Sequence, residues 1–246
     1  MNGFLAILGR ELRAYFVSPL AWVVLTFLLF VQGWAFSLIV SFLADPRTPA
    51  GTTPFDVFFG SFFFWFTLLF VTPVITMRSI AEERRSGTLE TLMTGPVTET
   101  QVVLAKFTAA LAFYAFLWAP TALYPVIIGR HTAIDWGPLA AGYLGTLLLG
   151  AMALSVGLLA SALSKNQIVA AVATFGTLLM FFALPWAGDL VRDPVWTELF
   201  AYLSQVDHLD EMARGIVDSR RLTYYLTTTA LFLFFTTRAL EAKKWR

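Results

Sequence analysis

The densest run of chemically active side chains is Glu82-Glu83-Arg84-Arg85, followed by Gly87, Thr88 and Glu90. Carboxylates and guanidinia with no histidine or cysteine among them suit charge-assisted hydrogen bonding to a polar surface, not nucleophilic catalysis. The surrounding residues give that run a shape. Ser79 followed by Glu82 reads as a capping box that opens a helix. Gly87 reads as its left-handed C-terminal stop. A second short helix is expected over 88–93, ended by Gly95-Pro96, and Thr98 with Gln101 forms another capping box opening the next long helix. Segment 78–103 is thus predicted to be two short helices with a tight break, a layout for docking. A solvated loop would account for the arginines but not for four glutamates and an ordered Gly/Pro arrangement.

Other chemistry is excluded by inventory. There is no cysteine, and the two histidines, His131 and His208, lie far apart. Thiolate sites, zinc and haem are therefore not expected. A phosphate-binding loop needs lysine directly after glycine, and none of Lys106, Lys165, Lys243 and Lys244 follows one. ATP hydrolysis by this chain is excluded on that ground. No long apolar run carries a mid-span carboxylate or histidine of the kind used in proton coupling. Gln32 and scattered Ser and Thr are the polar groups at depth, and no catalytic constellation for an intramembrane protease is present. A net charge of +1 gives no nucleic-acid footprint. Energy for any pumping must come from another subunit through a cytoplasmic surface.

The elements that must position the charged run are mostly apolar. Of 246 residues, 58% are hydrophobic and 13% charged; soluble domains sit near ~25% charged. Six runs are each read as a membrane span, which takes ~20 apolar residues: 20–43, 58–77, 104–128, 139–163, 168–188 and a short 222–237. Continuous runs of this kind favour helices, so the fold class is an all-α membrane protein forming one domain, 1–246. The first run is too long for a cleaved signal and reads as a retained span. Segments 1–19, 78–103 with Lys106, 164–167 and 238–246 hold eleven Lys/Arg and six Asp/Glu, against six and ten in the alternate loops. The positive-inside rule places the first set, with both termini, in the cytoplasm.

Two further segments have helical patterns without spanning length. Over 3–17, Phe4, Leu5, Leu8, Leu12, Tyr15 and Phe16 share one face and Arg10 and Arg13 oppose them, as in a helix lying at the interface. Glu11 sits at the edge of the apolar face, either touching a protein partner or snorkelling. Segment 189–221 holds two short helices, one opened by Asp193-Pro194 and one capped by Asp207, running through Arg214 and ended by Gly215, forming either an external gate or an amphipathic linker. The Phe-rich start of the second run reads as lipid-facing packing, with a path for an apolar substrate as the alternative. The tryptophans and tyrosines near span ends fit interfacial anchoring.

Three stretches resemble the permeases of type-2 ABC transporters, the exporter-like class: GRELRAYFVSP over 9–19, EERRSGTLETLMTGPVT over 82–98 and HLDEMARGIVDSRRLTYYL over 208–226. The second is the most specific, and with the six-span layout the resemblance covers essentially the whole chain. Within the class the sequence is most similar to permeases of gliding-motility and nitrous-oxide-reductase-maturation systems. The resemblance implies an elbow helix over 1–19, a cytoplasmic coupling helix after span two and short external helices before span six. It implies that Glu82, Glu83, Arg84, Arg85, Gly87, Thr88 and Glu90, helped by Glu11, form or support the contact with a separate ATPase subunit. ATP and magnesium would be bound by that subunit, in two copies, and no cofactor by this chain. A second permease chain would pair with this one, as a homodimer or as a heterodimer whose partner bears a large external domain. The expected function is a permease of the bacterial cytoplasmic membrane, coupling a partner's ATP hydrolysis to export or to mechanical signalling. The alternative is a passive channel or scaffold, which would need no structured charged loop.

Overall fold

The computed structural model describes residues 3–45, 47, 53–88, 97–130, 134–190 and 194–244, and all regular structure among them is helical. The chain opens with α1 (Gly3–Val17) and α2 (Pro19–Leu43). Ser18 is extended and Pro19 stands at the first helical position, where a missing N–H costs nothing. The junction therefore turns the chain without breaking a hydrogen bond.

The second apolar run is not continuous. It is divided into α3 (Pro54–Gly60) and α4 (Phe62–Thr76) at Ser61, whose φ of −69° and ψ of 146° are extended. The Ser61 hydroxyl accepts the Phe64 N–H and so starts α4 afresh. α3 is itself opened by a reciprocal box between Thr53 and Asp56. The span expected from residue 58 thus begins at Phe62. The short α5 (Ala81–Arg85) follows. α6 (Glu99–Trp118) opens on the expected Thr98–Gln101 box. It passes through a 3₁₀ turn at Ala119–Ala122, where Pro120 removes a donor, into α7 (Leu123–Ile128). α8 (Trp136–Leu163), α9 (Gln167–Leu190), α10 (Pro194–Leu203), α11 (Gln205–Ala213) and α12 (Ser219–Lys244) complete the chain.

Among the described residues five helical stretches are long and apolar enough to cross a membrane: Pro19–Leu43, Phe62–Arg85, Glu99–Ile128, Trp136–Leu163 and Gln167–Trp186. α12 has the length, at 26 residues, but not the apolarity, because threonines and a basic end dilute its Phe and Leu. Its threonine hydroxyls bond back to carbonyls four residues earlier, as Thr236 does to Phe232 at 2.8 Å. Polar side chains satisfied in this way can face an apolar environment.

α8 is the centre of the packing. Tyr114 of α6, fully buried, lies so close to Gly150 that a Cβ there would meet its ring. Its hydroxyl donates to the Thr146 carbonyl at 3.2 Å. Between α2 and α4 the buried Gln32 donates to Thr67 Oγ1 at 3.0 Å, a polar tie between apolar helices.

Candidate functional site

α1 lies along the first half of α6. Ile7, Val102 and Ala105 form a small buried cluster, supported by Phe4, Leu8 and Val97. Further along, the rings of Tyr15 and Phe113 stack with centroids 5.0 Å apart. Part of the α1 apolar face is therefore covered by protein, while Leu5 and Val17 stay exposed. This packing brings the Arg10-Glu11 edge of α1 over the start of α6.

There four charges close into a ring. Lys106 Nζ, on α6, lies 3.0 Å from Glu11 Oε1 and 3.0 Å from Glu83 Oε1. Arg10 Nη2 lies 2.7 Å from each of the same two oxygens. Two cations each bridge two carboxylates, so the ring is neutral. Its inner member, Lys106, is only 2% exposed, whereas Arg10 is 52% exposed. Burying an ammonium is costly unless opposite charges meet it, as the two carboxylates do here. Glu11 is thereby committed to contacts within the chain. Lys106 and Arg10 are members that sequence reasoning missed. The signal was a lone lysine just inside an apolar run, read only as inside charge.

α5 is fixed on a second side. The expected cap from Ser79 is not formed: α5 starts after Ile80 with no cap from its own segment. Ser79 instead meets Tyr15 Oη at 3.3 Å, while that hydroxyl donates to the Ile75 carbonyl at 3.1 Å. Burial, against the pull of the Ser79 hydrogen bond, raises the Tyr15 hydroxyl to about 12. The helix start is served from α8: Ser161 Oγ accepts the N–H groups of Ile80 and Ala81 at 3.1 and 3.0 Å. Arg84 turns the same way, and its Nη1 donates to the Ala162 and Ser164 carbonyls at 2.8 and 3.0 Å. A guanidinium on the last carbonyls of α8 is where a helix C-terminus favours positive charge.

What faces solvent is the remainder. Glu82, Arg85, Gly87 and Thr88 are exposed, Glu83 and Arg84 partly so. Gly87 has φ +72°, the left-handed stop expected for it, with open space where a Cβ would sit. Glu90, with most of the second short helix expected over 88–93, lies outside the described residues.

At the other end of α8, α11 is packed into the core, not laid over it. Leu209 and Met212 are buried against Gly145 of α8. Its cap is Ser204 and not the expected Asp207, which lies inside the first turn with its N–H donated to the Ser204 hydroxyl; the helix ends at Gly215 (φ +85°) as expected. Asp193, the expected cap of α10, lies outside the described residues. His208 is fully buried, with Arg221 Nη1 2.7 Å from its Nε2. Arg221 also forks onto both oxygens of Glu211 at 3.0 and 2.9 Å. Burial and the adjacent Arg221 push the His208 imidazole down to about 4, the Tyr202 carbonyl opposing them.

A bundle of long apolar helices with a half-buried, neutral ion ring at one end defines a polytopic membrane protein with a built polar platform. Comparison with known families matches residues 44–188 to the ABC-2 family transporter protein. The chain belongs to that family and is a multi-pass membrane protein. Two curated relatives, each named a probable multidrug ABC transporter permease YbhR, come from Escherichia coli strain K12 and from Escherichia coli O157:H7. Each is 26% identical over 144 residues, 58% of this chain. The chain spans 39% of the length of those relatives. The family match runs from before α3 into α9, so it takes in Glu83 and Lys106 and leaves Arg10 and Glu11 outside.

Proposed function

We propose that the chain is the transmembrane permease subunit of an ATP-binding cassette transporter, driven by a separate ATPase subunit. The observation that carries this reading is the ion ring joining α1, α5 and α6 beneath an exposed charged tip. A helix of only five residues has little stability of its own. Here it is clamped by Lys106 and Arg10 on one side and by Ser161 and Arg84 on the other. Force applied at Glu82, Arg85, Gly87 and Thr88 is therefore handed to α1, α6 and α8 instead of bending a loop. A passive channel has no use for such a clamp.

In this reading α5 is the coupling helix, α1 the cytoplasmic elbow and α12 a sixth span, so both termini face the cytoplasm. The whole chain is one permease domain of a bacterial cytoplasmic membrane. Glu82, Arg85, Gly87, Thr88 and Glu90 meet the ATPase, while Glu11, Glu83 and Arg84 hold the tip in place. ATP and magnesium are bound by the partner, in two copies. A second permease chain, identical or bearing an external domain, completes the membrane unit. The work done is export or mechanical signalling, in a system of the gliding-motility or nitrous-oxide-reductase-maturation type. The sequence stretches at 9–19 and 208–226 support that subtype.

The test is reconstitution. An ATPase subunit encoded beside this chain should co-purify with it, and the double variant Glu82→Lys/Arg85→Glu should lose the complex or its stimulated ATPase. Unchanged complex and unchanged ATPase in that variant would sink the coupling assignment.

A further inference from the structure

Beside the ion ring lies a cavity of about 360 Å³, within the ~300–1,000 Å³ typical of ligand pockets. Its walls come from α1, the start of α2, the end of α4, α5 and α6. The floor is apolar: Leu20, Ala21 and Val24 of α2, Val74 and Ile75 of α4, and Phe113 of α6. The rim is charged by Arg78 and Glu82 in addition to the ring. The cavity is therefore amphipathic along its depth.

Two groups on the rim are incompletely matched. Glu83 Oε1 takes both cations of the ring, but Oε2 is buried and accepts nothing among the described residues. A desolvated carboxylate oxygen without a donor is costly. Arg78 donates Nε to Gln167 at 3.3 Å, and its two Nη groups have no acceptor among the described residues. The rim thus offers an empty place for a cationic donor and, beside it, an empty place for an anion. Just outside, Val17 and Val23 are exposed apolar side chains at 80% and 63%. The floor belongs to three helices apolar enough to lie in a bilayer.

We infer that this cavity binds a membrane phospholipid with a primary ammonium headgroup. The amine donates to Glu83 Oε2, the phosphate faces Arg78, and one acyl chain lies on the floor formed by α2 and α4. Basic pockets where membrane helices meet the aqueous phase hold lipid headgroups in the same way. The inference goes beyond the ATP-coupling reading and does not need it. It makes the clamp around α5 a part-lipid structure.

The experiment uses the full chain in lipid nanodiscs containing photoreactive acyl-chain probes of phosphatidylethanolamine, phosphatidylcholine or phosphatidylglycerol. The ethanolamine probe should label peptides of α2 and α4 roughly ten-fold more than the other two, the ratio set by one charge-assisted hydrogen bond. Ala14 is an exposed residue on the rim. Ala14→Trp should fill the mouth and abolish that labelling without unfolding the chain. Glu83→Gln should bring the ethanolamine probe down to the level of the choline probe. Equal labelling by all three probes, a preference for the anionic glycerol lipid, labelling mapped elsewhere, or labelling untouched by Ala14→Trp would each overturn the site. Labelling blocked only by a small amphiphilic amine, with no lipid adduct, would overturn it in favour of a soluble cation. Nanodiscs expose both faces and contain no ATPase, so failure here leaves the coupling reading intact, and failure of coupling leaves this one.

Discussion

Lys106 Nζ reaches Glu11 Oε1 at 3.0 Å across 95 positions of sequence. It does so with 2% of its side chain exposed. Such a contact is a condition for burying the lysine at all. It ties a helix at the membrane surface to the first turns of a long apolar one, and the following expectations turn on it or on its neighbours.

Lys106→Met removes a buried cation and leaves Glu11 and Glu83 with Arg10 alone. Removing one member of a buried ion pair costs about 3–5 kcal/mol. The variant should melt well below the wild type in detergent. Glu11→Gln/Glu83→Gln/Lys106→Met together should recover most of the loss, because no buried charge is then stranded. A single variant as stable as the wild type would refute the ring.

Gly87→Val places a β-branched residue at φ +72°. Left-handed backbone costs about 1–2 kcal/mol for residues with a Cβ. Because the site is exposed, the melting temperature should fall modestly while stimulation of a partner ATPase falls severely. Loss of both in proportion would mean that Gly87 serves stability alone.

Gly150→Leu should be among the most damaging apolar substitutions. Its side chain would have to enter the space held by the buried Tyr114 ring. Overpacking of this kind costs typically about 1–3 kcal/mol. Tyr114→Ala in the same chain should relieve part of the cost, and a thermal double-mutant cycle reads that coupling directly.

His208 should make stability pH-dependent. Its folded value of about 4 lies below the ordinary histidine value of 6.5. The neutral form is the one the fold accepts, so this contribution is fully present above the unfolded value and is lost as pH falls from about 6.5 toward 4. The loss is on the order of 1–3 kcal/mol, given about 1.4 kcal/mol per unit and neighbouring charges that share the effect. Melting curves at pH 7.5 and 5 should diverge for the wild type, and His208→Phe should narrow the gap. An unchanged gap in that variant would reject the assignment.

Much of this was legible in the sequence, and the failures have physical causes. The long helices follow from apolar length, and the Thr98–Gln101 box and the Gly87 and Gly215 stops from local chemistry. The Ser61 break was hidden because five phenylalanines around it look like an uninterrupted apolar run; a serine cap after glycine is a weak signal inside one. Ser79 has the spacing of a cap and lost that role to Tyr15 and Ser161, partners 64 and 82 positions away, which no local rule can see. Lys106 and Glu11 failed for the same reason. Charge at the end of a span looks the same whether it meets water or a carboxylate brought in by tertiary packing.

α8 touches both ends of the molecule. Its last carbonyls hold Arg84, and its first turns receive Leu209 and Met212 of α11. α4 and α9 carry Pro73 and Pro185 in their interiors, whereas the proline of α8 is confined to its first turn. Twenty-eight residues at 1.5 Å each make a strut of about 42 Å. Pivoted at its middle, it would swing each end by roughly 2 Å for a tilt of about 5°. In such a see-saw, a small push at one end of the helix would arrive at the other as an equal displacement in the opposite sense.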